Sequence, residues 1–198
     1  MTISALALCG VREPLAAGKP SASVLSPVEF HSETVRIAIG GDSVEVTGLY
    51  RFLTRRSALG SATILYPFPV DGRLGGARMV SVEVRAAGAG WRPLPFSGRP
   101  DLPGAVWRLP TDWGDTLEVR GVYRQALRGR FARYIVTTTS SWSRPLESAR
   151  FEITLPDGAR PERFSHAFRA SRLEGRRVYV FEARGFRPDR DIEVEWRP

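Results

Sequence analysis

The chain has 198 residues, 42% hydrophobic and 25% charged, an ordinary globular balance that excludes a disordered or fibrous class. Its formal charge is +8, and all but Lys19 of its 29 basic residues are arginine. Cys9 is the only cysteine, which excludes an intrachain disulfide, so the fold must be held by its core.

Residues 1–11, MTISALALCGV, form a short apolar run with no basic residue before it. The run resembles the tail of a secretory signal whose basic start lies upstream. Leu6-Ala7-Leu8-Cys9-Gly10 resembles a bacterial lipobox, apart from Leu8, where a small residue is expected. That resemblance makes Cys9 a lipidation site and the mature protein a periplasmic or cell-surface one. The other reading is a frayed start with a stray cysteine. Residues 12–27 are rich in Ala, Ser, Pro and Gly and read as a tether, so 1–27 is expected to be a leader or flexible tail. No segment has the length of a transmembrane helix.

From Val28 onward the hydrophobic period is two. Val35, Ile37 and Ile39 alternate with Arg36 and Ala38, and Gly40-Gly41-Asp42 predicts a hairpin turn. Val44, Val46, Gly48, Tyr50 and Phe52 then share one face, with Glu45, Thr47, Leu49 and Arg51 on the other. Ala62 to Phe68 predicts a strand stopped by Pro69, because proline lacks the amide proton of a central ladder. Met79 to Arg85, Ala105 to Leu109 and Leu117 to Tyr123 follow, separated by loops around Trp91 and a turn at Asp112–Asp115. Phe131 to Thr139, Phe151 to Leu155, Phe164 to Phe168, Val178 to Phe181 and Ile192 to Trp196 complete the set. Strands at this spacing with no amphipathic helix predict an all-β, antiparallel β-sandwich of about ten strands over residues 28–198. Arg144-Pro145 is the place for a seam if there are two subdomains.

Three stretches carry a family resemblance. VRIAIGGDSVEVTGLYRF, ILYPFPVDGRL and LEVRGVYRQALRGRFARY together resemble the VIT domain, the β-sandwich of inter-alpha-trypsin inhibitor heavy chains and of many bacterial envelope proteins. The matching residues are Val44 and Val46, then Tyr66-Pro67-Phe68-Pro69, then Val119, Gly121, Tyr123, Gln125 and Leu127. The first proline is shifted from the family pattern and Val70 replaces a leucine. The same features resemble uncharacterised bacterial periplasmic β-domains. The likeness covers residues 33–134 and implies an accessory sandwich that binds or assembles. It supplies no catalytic residue, and the metal-binding Asp-x-Ser-x-Ser motif of the von Willebrand A domain that usually follows a VIT domain is not in this sequence.

Chemistry is sparse. His31 and His166 are the only histidines, and neither has a second ligand at metal spacing. Asp112 with Asp115, and Asp189 with Asp191, read as turn formers before they read as calcium ligands. No phosphate loop and no nucleic-acid motif occurs. The best interaction candidate is basic: Arg120, Arg124, Arg128, Arg130 and Arg133, with Tyr123, Phe131 and Tyr134 among them. On a hairpin, such guanidinium forks would match phosphate or sulfate oxygens; the plainer reading is a charged tip that blocks edge pairing. The sequence therefore predicts a non-catalytic binding or assembly module of the cell envelope, without cofactor or metal. Its partner would be an envelope protein or an anionic ligand. A polyanion binder using the arginine hairpin is the alternative, and a glycan hydrolase the third reading.

Overall fold

Period-two alternation is realised first in β1 (Val28–Ile39) and β2 (Ser43–Thr54), joined across Gly40-Gly41-Asp42 with Ile37 opposite Val46. The computed structural model describes residues 27–54, 60–98, 103–142 and 144–198. Cys9 and all but the last residue of the expected tail lie outside them. Next come β3 (Ser61–Pro67), β4 (Leu74–Ala86), β5 (Arg92–Pro93), β6 (Phe96–Gly98), β7 (Gly104–Pro110), β8 (Thr116–Leu127) and β9 (Phe131–Tyr134). After a 3-10 turn at Thr137–Ser141 follow β10 (Leu146–Thr154), β11 (Arg160–Phe164), β12 (Arg169–Leu173), β13 (Arg176–Phe186) and β14 (Ile192–Arg197).

The all-β expectation holds, with differences in detail. There are fourteen strands among the described residues, in three sheets. The large sheet has the order β12-β13-β10-β1-β2-β8-β4-β5, and the two small ones are β11-β14-β9 and β3-β7-β6. Every pairing is antiparallel except β1 with β10, which run parallel with Val35 beside Phe151.

Both small sheets lie over one face of the large sheet. Tyr66 of β3 packs on Tyr50 of β2 and Tyr123 of β8, with ring centroids 5.9 and 5.7 Å apart. Tyr134 of β9 meets Phe151 of β10 at 6.2 Å. One hydrophobic core runs through Val35, Leu117, Trp107, Phe151 and Val194, each side chain of this size stabilising the fold by roughly 1.5–3 kcal/mol on burial. Residues on both sides of Arg144 share this core, and β10 is built into the same sheet as β1.

Two strand boundaries differ from expectation. The strand expected to reach Thr139 stops at Tyr134. Beyond it, the Asp191 carboxylate accepts the backbone N–H of Val136 and Thr137, both at 3.1 Å, and the Thr137 hydroxyl at 2.9 Å, which caps a 3-10 turn. The strand expected at Phe164–Phe168 is instead a bend between β11 and β12, in which Phe164 and Phe168 stack at 4.8 Å.

Candidate anion-binding surface

The second face of the large sheet is a lattice of paired charges. Glu118 accepts from Arg51 at 3.0 Å and from Arg85 at 2.7 Å. Partial burial works against the charged Glu118, but these two guanidiniums hold its carboxyl below the usual range. Glu152 accepts from Arg36 at 2.9 Å and Arg150 at 2.7 Å, and Arg150 also pairs with Glu182. The Trp91 ring is covered by the guanidiniums of Arg85 and Arg120, at 4.5 and 4.7 Å. Each such half-exposed pair is worth only about 0–1 kcal/mol, but it neutralises charge locally.

Carboxylates neutralise three of the five arginines picked out by the sequence, two on this face and one on β9. Arg120 donates to Glu83 at 2.8 Å and Arg124 to Glu45 at 2.7 Å. Arg133 donates to Glu193 at 2.8 Å and also pairs with Asp71 at 3.4 Å. The expected hairpin does not form, because β8 pairs with β2 and β4 whereas β9 pairs with β14 in another sheet. Arg128 and Arg130 sit in the exposed turn that carries the chain from one sheet to the other. The Arg128 amide donates to the Arg73 carbonyl at 2.9 Å and the Trp196 amide to the Arg130 carbonyl at 3.3 Å.

Strand register shows what lies beside that turn. Leu74 is opposite Leu127, Ser43 opposite Ala126, Ile39 opposite Val44, Ala38 beside Thr154, and Ile153 opposite Tyr179. One end of the large sheet therefore holds the β8–β9 turn, the β1–β2 turn, the end of β10 and the β12–β13 turn. Two depressions open on this end. The smaller, about 500 Å³, is lined by Arg73, Arg130, Phe131, Glu162, Glu195 and Arg197 among others. The larger, about 810 Å³, is lined by Arg160, Arg172, Arg176 and Arg177, with Asp157 as its only carboxylate among the described residues. Arg160 of the larger faces Arg197 of the smaller across the β11–β14 ladder, so the two depressions adjoin.

Of the carboxylates lining the smaller depression, Glu195 is ill suited to donate a proton. Glu195 is bonded first by Arg163 at 2.8 Å and then by Arg73 at 3.1 Å, and both hold its carboxyl low. A carboxyl held ionised is a poor general acid. The histidines are placed as packing groups. His31 meets Glu147 at 2.8 Å, and His166 bonds Ser165 at 2.8 Å and lies 4.8 Å from the Phe181 ring, where burial pushes its pKa down. Among the described residues no three His, Cys, Asp or Glu side chains are grouped to hold a metal ion, and no helix is long and apolar enough to cross a membrane.

The most perturbed acid lies inside. Glu33 of β1 is 3% exposed, and burial raises its pKa to about 8, opposed by the Tyr134 hydroxyl at 3.4 Å. Tyr134 bonds Tyr50 at 3.1 Å, and Tyr50 bonds Tyr66 at 2.8 Å. The chain thus joins all three sheets in the core. The parity of Glu33 with Val35, Ile37 and Ile39 is the sequence signal that marks it as inward. Arg160 and Arg172 were missed because β11 and β12 are exposed and show no apolar alternation, and Arg176 and Arg177 because they precede the buried Val178 and Tyr179 that mark β13.

No protein-family model matches the chain, and no curated protein matches it. Solved structures do. A putative nutrient-binding protein from Legionella pneumophila superposes with a TM-score of 0.58 at 15% identity, over 86% of this chain and 67% of that one. An M1 zinc metallopeptidase from Deinococcus radiodurans gives 0.51 at 12%, over 86% and 43%. Native yeast LTA4 hydrolase gives 0.52 at 11%, over 93% and 31%. At these identities the likeness is one of fold. The chain spans less than half the length of the two hydrolases.

Proposed function

We propose that the chain is a non-catalytic binding module of the bacterial cell envelope, which takes an anionic partner on the basic end of its large sheet. The observation that carries this is the uneven distribution of neutralised charge. On the sheet face Arg36, Arg51, Arg85, Arg120, Arg124 and Arg150 are paired with Glu45, Glu83, Glu118 and Glu152, whereas Arg128, Arg130, Arg160, Arg172, Arg176 and Arg177 gather at one end without a carboxylate partner among the described residues; Arg78, Arg184 and Arg187 also have none but lie apart from that cluster. Unneutralised guanidiniums held on strands raise the local potential and draw in an anion. A binding role is also in keeping with the name of the Legionella protein, of which this chain spans 67%. The envelope assignment rests on the likeness of residues 1–11 to the tail of a secretory signal and of Leu6-Ala7-Leu8-Cys9-Gly10 to a lipobox.

Retention on heparin-agarose against a sodium chloride gradient tests the reading. Arg128→Glu with Arg130→Glu should elute at clearly lower salt than Arg184→Glu with Arg187→Glu, a charge-matched pair at the opposite end of β13. Equal elution of the two double variants would show that net charge alone is at work and overturn the proposal.

A further inference from the structure

We infer that the groove lined by Arg160, Arg172, Arg176 and Arg177 is a binding site for a ligand carrying two or more phosphate groups. This rests on the reading above for the end of the molecule, and adds the site and the chemistry.

The first support is a like-charge contact that the fold holds in place. β12 and β13 set Arg172 directly opposite Arg177, and β11 and β14 set Arg160 directly opposite Arg197. Directly opposed residues in an antiparallel pair have Cβ atoms about 4.5–5.5 Å apart, and like charges there destabilise the sheet. None of these four meets a carboxylate among the described residues, although carboxylates answer Arg51, Arg120 and Arg124 of the sheet face. Arginines on an edge strand also deter pairing with another chain. That role extends to Arg176 and Arg177, because the pairing of β13 with β10 begins only at Tyr179, but it does not require four arginines to line one groove.

The second support is shape and rigidity. The groove measures about 810 Å³, within the range of about 300–1,000 Å³ usual for small-ligand sites. Buried Leu155 and Tyr179 form part of its lining. The arginines issue from strands closed by tight turns. Glu174 and Gly175, at φ 49° and 80°, make a two-residue turn between β12 and β13, as a type I′ hairpin requires. Gly158 at φ 82° closes the turn before β11, where the Ala159 amide donates to the Pro156 carbonyl at 3.0 Å. Guanidinium forks carried on strands held in this way match phosphate bidentately, and one phosphate between Arg172 and Arg177 removes their mutual repulsion. A second phosphate answers Arg160 and Arg176.

Free polyphosphates and phosphate-bearing lipid headgroups share this chemistry, so the test has two arms. Calorimetric titration with tripolyphosphate should give saturable binding that Arg172→Gln with Arg177→Gln weakens roughly tenfold or more, as loss of charge-assisted bonds implies. Co-sedimentation with phosphatidylcholine vesicles, with and without cardiolipin, whose headgroup carries two phosphates, shows whether the phosphates are taken from a lipid. The same double variant should melt no lower than the parent, since it relieves a like-charge pair, and this separates lost binding from lost folding. Binding in either arm, abolished in the groove variant and kept in Arg128→Glu with Arg130→Glu, supports the site. No binding in either arm, or equal binding by the groove variant, overturns it. If heparin retention still depends on Arg128 and Arg130 in that event, the broader reading survives and only the phosphate site fails.

Discussion

The side-chain amide of Gln125 donates to the Pro69 carbonyl at 2.9 Å and to the Gly75 carbonyl at 3.1 Å. Gln125 is 2% exposed, so these bonds are made away from water. They tie the inner end of β8 to the loop that leaves the Tyr66-Pro67-Phe68-Pro69 segment, where Phe68 packs on Tyr123 at 5.1 Å. Two motifs lying 56 residues apart in sequence are one contact in space. Replacing Gln125 by leucine strands both carbonyls, and the cost should be about 1–3 kcal/mol, read as a lower urea midpoint at unchanged slope.

Gly48 and Gly121 face each other across β2 and β8, but they are not equivalent. A Cβ on Gly48 would overlap the hydroxyl and ring of Tyr50, whereas one on Gly121 would sit 3.6 Å from the same ring, at ordinary contact. Gly48→Ala should therefore displace Tyr50, break its bonds to Tyr66 and Tyr134, and cost roughly 3 kcal/mol or more. Gly121→Ala should change stability by less than about 1 kcal/mol. Thermal unfolding of the two variants side by side checks the contrast; equal losses would refute it.

Glu33 makes stability depend on pH in a defined direction. Its folded pKa is raised to about 8 from 4.5, so folding takes up a proton between these values. The unfolded chain then binds fewer protons than the folded one, and stability falls as pH rises through this window, by at most about 1.4 kcal/mol per pH unit. The stability is fully present below the unfolded pKa and lost as pH passes the folded one. Glu33→Gln keeps the shape without the charge. It should flatten this slope and exceed the parent in stability at pH 9, as measured by urea unfolding across pH.

Asp191 caps the turn after β9 through three bonds, two of them from backbone amides. Asp191→Ala should lower stability by about 1–2 kcal/mol. Amide exchange at Val136 and Thr137 should quicken more than exchange in β1, which would locate the loss in the turn.

Much of the architecture is legible in the sequence where one face is wet and the other dry. Val44, Val46, Tyr50 and Phe52 are buried on the face their parity assigns, as are Ile192, Val194 and Trp196. Parity fails where both faces are wet: Arg169–Leu173 is exposed along its whole length, and nothing in its pattern separates it from a loop. Pairing is a different matter. A strand's own residues define its inner face but not its neighbour, so neither the parallel β1–β10 pair nor the separation of β8 from β9 could be read from alternation. For the arginines the sequence shows a basic run at Arg120–Arg133, but which of them is neutralised depends on Glu45, Glu83, Glu193 and Asp71, brought in from other strands. The unneutralised ones at Arg172, Arg176 and Arg177 flank a Glu-Gly turn that alternation alone does not reveal.

The parallel pairing of β1 with β10 also sets an order in time. Arg36 finds Glu152 only once the chain has grown 116 positions further. During synthesis β1 therefore waits as a bare edge, with Val35 and Ile37 lacking Phe151 and Ile153 beside them. Contacts of such long range close slowly, and an unpaired apolar edge invites a second chain in the interval. The strand made first is thus the one completed late, and the hazard of misassembly falls in the interval before Leu146–Thr154 arrives.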